Sequence, residues 1–243
     1  AVELGAIVIK EAVSRSGLSL NLVDHVYMGC VIQAGLGQNV ARQASLKAGL
    51  PYTTTAETLN IVCGSSLSSV NSAARLIQTG DADIVVAGGT ESMSKAPFVM
   101  MEGRYGYRMG SPMIKSEIID AMVHDALWDA ENNYHMGVTA ENLVKRWHVT
   151  REKMDFFAME SQKKACMAND NGKFDAEIVP VRIQNKKDEV LVDRDEGLRP
   201  GTTIEALAKL KAVFIENGSV TAGNSSGISD GAAAVVLISE EKM

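Results

Sequence analysis

The chain has 243 residues, 46% of them hydrophobic and 22% charged, with a formal net charge of -6. That is long and apolar enough for a sizeable globular core, and it excludes a disordered chain. The acidic balance argues against nucleic-acid or anionic-membrane binding, which needs a clustered basic surface, and no apolar run approaches the ~18 residues that span a bilayer.

The N-terminus has no basic region followed by an apolar core, so the expectation is a soluble, cytoplasmic protein. Cys30, Cys63 and Cys166 are far apart and form no C-x-x-C pair. Neither a disulfide framework nor a thiolate zinc site is suggested, and a reducing compartment fits. The four histidines show no paired spacing, so no metal is expected.

Val2, Ala6, Ile9 and Val13 recur at helical spacing and predict a helix from Ala1 to about Ser16, with Gly17 at its stop. A chain that opens on a helix, with neither methionine nor strand before it, is expected to lack an upstream strand. Val23 to Ile32 reads as a strand. Gln33 to Asn39 is a glycine-bearing loop, with Asn39 capping a helix from Val40 to Ala48. The pattern Gly35-x-Gly37-x-x-Val40 imitates a dinucleotide-binding turn, but valine stands where close helix–strand packing requires a third glycine. A loop shaped for packing or a subunit contact is the better reading.

Thr55 to Val62 leads into Cys63-Gly64-Ser65-Ser66, and a helix is predicted from about Leu67 to Gln78. The cysteine thus falls where unpaired helix N–H groups and the positive end of the helix dipole converge, an environment that favours a nucleophilic thiolate. Gly64 would supply the sharp turn, and Ser65 and Ser66 are candidate caps. The alternative is an ordinary buried cysteine. Leu67, Val70, Ala73, Ala74, Leu76 and Ile77 make the helix nearly apolar all round and predict burial on more than one side. Asp83 to Ala87 reads as a central strand ended by Gly88-Gly89. This alternation of helices and strands predicts a mostly parallel sheet with helices on its faces.

From Lys95 to Gly218 the pattern loosens. Helices are predicted at Ile118–Leu127, Ala140–Arg146 and Arg151–Asn169, the last with Met154, Phe157, Ala158, Ser161, Ala165 and Ala168 on one stripe. A hairpin is expected to join Ile178–Ile183 to Val190–Asp193 around the charged Asn185-to-Glu189 turn, a solvated tip. So long an excursion reads as a substrate-binding insertion. Ala232 to Ser239 then returns to the first sheet. The expected division is an α/β domain of residues 1–94 and 228–243 with an inserted loop domain of residues 95–227.

Three stretches resemble the N-terminal half of a thiolase of the biosynthetic branch, and they occur in the family's order. They are Asn60 to Leu67, Tyr134-His135-Met136-Gly137, and Thr221-Ala222-Gly223-Asn224-Ser225-Ser226-Gly227 through Asp230-Gly231-Ala232-Ala233. The resemblance implies an α/β fold: a mixed five-stranded sheet covered by helices, here without its first strand, with an inserted α+β loop domain. It implies an acyltransferase that condenses two acetyl-CoA molecules to acetoacetyl-CoA and CoA, or runs the thiolysis in reverse. Cys63 would carry the acetyl group, and its N–H would form half of an oxyanion hole. His135 and Met136 would line the channel for the pantetheine arm. Ala222, Gly223 and Ser226 form a small-residue loop along which a thin ligand can lie, with Ser226 bonding its amides. Arg199 corresponds to a position near the adenine end of CoA, and Leu127 and Gln162 to further CoA-proximal positions. Coenzyme A is substrate and product rather than cofactor, and a homodimer or homotetramer is expected.

Ser66 departs from the family pattern, in which glycine or alanine stands there. The family's Gly-His-Pro and Cys-x-Gly-Gly-Gly turns, which supply the activating histidine and second cysteine, are expected beyond Met243. Cys166 lies in a regular amphipathic helix with no glycine turn and does not replace that second cysteine. Cys30 reads as a strand residue, and His25, His124 and His148 as structural. The sequence also admits two alternatives: a decarboxylating ketoacyl synthase, which shares the elbow cysteine, and a fragment that binds CoA without turnover.

Overall fold

The computed structural model describes residues 1–106, 118–184 and 188–243. Positions 185–187 of the expected charged turn lie outside the described residues. The fold is α/β. The chain divides into two compact units, Ala1–Ala126 with Ser229–Met243, and Leu127–Ile228.

In the first unit the elements run α1 (Val2–Arg15), β1 (His25–Gly29), α2 (Val40–Ala48), β2 (Thr55–Leu59), α3 (Ser65–Gln78) and β3 (Ile84–Ser92). The hairpin strands β4 (Phe98–Met100) and β5 (Ile118–Asp120) follow, and the final strand, numbered β10 (Asp230–Ile238), returns from the second unit. The main sheet has the order β10-β3-β1-β2. β1 runs parallel to β2 and β3, and β10 runs antiparallel to β3, so the sheet is mixed and has four strands among the described residues.

The continuous apolar run at β3 follows from cover on both faces. Ile84 and Val86 point to the side where Ala6, Ile9 and Val13 of α1 and Ala41, Ala44 and Ala48 of α2 pack with Val26 and Met28 of β1. Val85 and Ala87 point to the other side, against Val70, Ala73, Leu76 and Ile77 of α3. α1 buries Ala6, Ile9 and Val13 as its spacing predicts, and Gly17 follows it at a φ of 74°. Asn39 caps α2 through Oδ1, which accepts the Arg42 N–H at 3.1 Å.

Three expectations change here. β3 does not stop at Gly88-Gly89 but runs through both glycines to Ser92. The glycines serve close approach: a side chain on Gly88 would strike the β10 backbone at Ala233, and one on Gly89 would strike Ser66. α3 starts at Ser65 rather than Leu67, and its buried residues are Ser65, Ser69 and Ala73, with Val70, Leu76 and Ile77 partly buried beside them. Leu67 is 67% exposed. Residues 118–127 are not a regular helix, because β5 pairs with β4 and a π-helical turn (Met122–Leu127) follows.

A Cβ added to Gly29 would lie 2.7 Å from the carbonyl carbon and Cβ of Ser65 and 2.8 Å from the Ser66 nitrogen. Gly29→Ala must therefore lift the start of α3 from the sheet. We expect it to cost about 1–3 kcal/mol, the usual penalty of overpacking a close contact. A urea titration checks this, and an unchanged midpoint contradicts it.

His25 lies on β1 against Tyr27, with ring centroids 4.1 Å apart. Its Nδ1 lies 2.5 Å from Thr55 Oγ1, and its buried Nε2 has no hydrogen-bond partner among the described residues. Burial lowers its pKa below the ordinary 6.5, with Glu57 opposing in part. A base whose folded pKa is depressed favours the native state while neutral, so its contribution is present above pH 6.5 and is lost as pH falls below that value toward the folded pKa. Thermal stability is expected to decline across that window, and His25→Gln to flatten the decline. An equally steep decline in the variant contradicts it.

The second unit holds the short hairpin β6 (Trp128–Asp129) and β7 (Tyr134–His135), then α4 (Met136–Trp147), α5 (Arg151–Asp170), the hairpin β8 (Val181–Gln184) and β9 (Glu189–Val192), and α6 (Ile204–Ala208). The apolar stripe expected to pack on α5 does not do so along its length. Phe157 is 76% exposed, and the only buried residue of the helix is Asp155.

Candidate active site

Asn60 to Gly64 make the connection from β2 to α3. The sharp bend falls at Val62, which has a φ of 56°, and not at Gly64, whose φ of -81° is ordinary. A β-branched residue in the left-handed region is strained, by the order of 1–3 kcal/mol, and persists only where its surroundings fix it. Here Asn60 Oδ1 accepts the Val62 N–H at 3.0 Å. Ser65 Oγ accepts the Ile61 N–H at 3.0 Å and donates to the Val62 carbonyl at 2.6 Å. Ser65 is therefore a brace within the turn. The N-cap position of α3 belongs to Gly64.

Cys63 follows Val62 and is exposed, which removes the buried-cysteine alternative. The N–H groups of Gly64 and Ser65 turn back to the carbonyls of Ile61 and Val62, at 3.3 and 3.1 Å. In this run the Cys63 N–H has no acceptor among the described residues. The thiol and a neighbouring free amide hydrogen thus stand together at the mouth of a helix.

The other cysteines differ. Cys30, just past the end of β1, is buried, with its Sγ 3.8 Å from Glu91 Oε1. Burial and the Glu91 carboxylate push its pKa up to about 12, so it stays a protonated thiol. Cys166 is half-buried within α5. Among the described residues no group of His, Cys, Asp or Glu could hold a metal ion. No helix of the described residues is long and apolar enough to cross a membrane.

The remaining candidates all lie in the second unit. His135 caps α4, its Nδ1 accepting the Gly137 N–H at 3.0 Å, which places the proton of the neutral ring on Nε2. The ring stacks on Phe214, with centroids 4.8 Å apart and planes inclined by 22°. Any side chain at Gly137 would strike that phenyl ring, so the glycine of the Tyr-His-Met-Gly motif is required by packing. Met136 beside it is exposed. Gln162 and Arg199 are brought together, the Gln162 Oε1 accepting the Arg199 N–H at 2.9 Å. The Arg199 guanidinium turns back to the carbonyls of Glu196 and Leu198, at 2.6 and 3.1 Å. Leu127 closes the π-helical turn and is half-buried.

Ala222 and Ser226 are exposed on a loop whose shape is set from beneath. A Cβ on Gly223 would meet Leu207 and Leu210 at 2.5 and 2.6 Å. Glu141 Oε1 accepts the N–H groups of Ser219 and Val220 at 2.8 and 2.7 Å. Asp155 accepts from Asn224 Nδ2 at 3.0 Å and pairs with Arg151 at 2.8 Å. Arg151 in turn donates to the carbonyls of Leu207 and Leu210. Sequence reasoning passed over Glu141, Asp155 and Phe214. The one signal, for Asp155 alone, was its opposite-charge pairing with Arg151 at helical i, i+4 spacing.

A strand-to-helix elbow bearing an exposed cysteine on a mixed α/β sheet, with a second unit carrying the small-residue loop, defines the class. The model of the thiolase N-terminal domain matches residues 1–241, and the chain belongs to the thiolase family. It is 52% identical over 240 residues to an acetyl-CoA acetyltransferase of Syntrophomonas wolfei, covering 99% of this chain and 60% of that protein. It is also 52% identical over 243 residues to an acetyl-CoA acetyltransferase of Pseudomonas aeruginosa, covering 100% of this chain and 61% of that protein. The crystal structure of the Bacillus anthracis acetyl-CoA acetyltransferase superposes with a TM-score of 0.93 at 43% identity, covering 99% of this chain and 60% of that one. The chain thus spans about 60% of the length of these relatives.

Proposed function

We propose that this chain supplies the acyl-carrying half of an acetyl-CoA acetyltransferase that joins two acetyl-CoA molecules into acetoacetyl-CoA and CoA. The Cys63 sulfur attacks the thioester carbonyl of the first acetyl-CoA, and the Cys63 N–H stabilises the tetrahedral oxyanion. Expulsion of CoA leaves an acetyl-cysteine. The second acetyl-CoA loses a methyl proton to a base, and its carbanion attacks the acetyl-cysteine carbonyl and releases the thiolate. Thiolysis is the same path reversed. The sequence contains neither a Gly-His-Pro nor a Cys-x-Gly-Gly-Gly turn, and no residue of this chain is assigned as the base.

The observation that carries the reading is the exposed Cys63 beside an amide hydrogen that the turn leaves free. The excursion at 95–227 acts as the CoA-binding insertion, with His135 and Met136 beside the pantetheine arm, Ala222, Gly223 and Ser226 along it, Arg199 toward the adenine end, and Leu127 and Gln162 at further positions close to CoA. A homodimer or homotetramer in the cytoplasm completes the reading, which three free cysteines suit.

Iodoacetamide at near-neutral pH tests it. Cys63 is expected to react selectively, with acetyl-CoA protecting it. Equal labelling of Cys30 and Cys166, or no protection, overturns the reading.

A further inference from the structure

Acyl transfer uses the Cys63 thiol and N–H, but the strain that aims them is stored one residue earlier and needs its own support. We infer that Asn60 is a positioning residue: its carboxamide, anchored through Val31 to the Glu91 carboxylate, holds Val62 left-handed and so presents Cys63. The inference rests on the acyl-carrier role of Cys63.

The support is a connected path of hydrogen bonds within the first unit. Asn60 Oδ1 accepts the Val62 N–H at 3.0 Å, while Asn60 Nδ2 donates to the Val31 carbonyl at 3.4 Å. Val31 and Ile32 donate their N–H groups to Glu91 Oε2 at 2.9 and 3.3 Å, and Cys30 Sγ donates to Oε1 at 3.8 Å. Both oxygens of Glu91 are therefore engaged with the segment that follows β1. Glu91 itself belongs to β3, whose register with β1 pairs Gly29 with Gly89. The path thus runs from the middle of the sheet to the elbow.

Only a side chain with a donor and an acceptor on one short, planar group can hold Val31 and Val62 at once, and a primary carboxamide meets that need. Without the Oδ1 bond, the Val62 N–H loses its own acceptor, and the bonds to the Ile61 carbonyl and N–H are what remain on that side to oppose its return to negative φ. That rotation swings the 62–63 peptide and redirects the Cys63 side chain and N–H together. Ser65 alone then braces the Val62 carbonyl.

The test is the rate of Cys63 carbamidomethylation in the full chain, followed by peptide mapping, with Cys30 and Cys166 as internal comparators. Asn60→Ala is expected to slow Cys63 by about ten-fold, the factor that matches relaxation of one strained residue. Asn60→Asp, which keeps the acceptor and loses the donor, falls between. Val62→Gly added to Asn60→Ala restores the rate, because glycine takes a positive φ without penalty, whereas a general loss of stability would not be repaired in this way. Equal rates in wild type and Asn60→Ala overturn the inference, as does a slow Asn60→Ala that Val62→Gly fails to rescue. Unselective labelling of wild-type Cys63 instead overturns the acyl-carrier reading. Exchange of the Val62 amide hydrogen then still decides the positioning role, which requires protection in wild type and exchange about ten-fold faster in Asn60→Ala.

Discussion

Cys63→Ala is expected to abolish acetyl transfer, lowering it by ~10⁴-fold or more, because the covalent intermediate has no other sulfur to form on. Cys30 cannot substitute, since it is buried beside Glu91 and held protonated. Cys166 sits in the body of α5, away from any helix N-terminus. The fold should be indifferent to the change. An exposed side chain leaves no cavity when shortened, so stability is expected to stay within about 0.5 kcal/mol of wild type. Mass spectrometry after incubation with acetyl-CoA reads the outcome: one acetyl group on the Cys63 peptide in wild type, none in the variant. Acetylation that persists in Cys63→Ala ends the assignment.

The largest expected effect on stability belongs to Asp155→Ala. Asp155 is 2% exposed, and it connects α5 to the loop that carries Ala222, Gly223 and Ser226. Removing its carboxylate strands the Arg151 guanidinium, whose side chain is 23% exposed, and leaves one Asn224 donor bond unmade. Breaking a buried pair in this way costs about 3 kcal/mol or more, most of it from the charge left behind. The consequence is local. Amide hydrogens between Leu207 and Asn224 are expected to exchange about 100-fold faster, as 3 kcal/mol requires, while those of β1 and β3 keep their rates. Asp155→Asn, which retains the shape and an acceptor oxygen, should give a smaller change. Uniform acceleration across both units, or none, contradicts the role given to this carboxylate.

Much of the fold was legible from spacing alone. Val2, Ala6, Ile9 and Val13 mark a helix because one face of a 3.6-residue period must be apolar, and Asn39 marks a helix start because its side chain can take a free N–H. The elbow cysteine was legible for a related reason, since a strand that stops at a cysteine before a run of small residues can only turn there. What escaped were the positions where two distant segments meet. Gly88 and Gly89 look like a strand end in sequence but lie inside β3, because their missing side chains make room for β10 and Ser66. Ser66, a departure from the family pattern, is accommodated for that same reason.

The strained residue was also misplaced. Glycine is the ordinary carrier of a positive φ, so Gly64 drew the turn, yet Val62 adopts it under the hold of Asn60 and Ser65. Asp155 was hidden within a helix that reads as amphipathic with an apolar packing face. The segments it meets offer a guanidinium and an amide, so a carboxylate outcompetes Phe157 for the interior.

By itself the amino-acid order determined the alternation of helices and strands, the cysteine at the strand-to-helix elbow and the family, because each is written in short local patterns of neighbouring residues. Only the tertiary structure decided which glycines are spaces for another backbone, which residue stores the strain behind Cys63 and which carboxylates hold the loop, because those depend on groups far apart in sequence, from Val31 and Asn60 to Gly88 and Ala233, that meet only once the sheet and helices have packed.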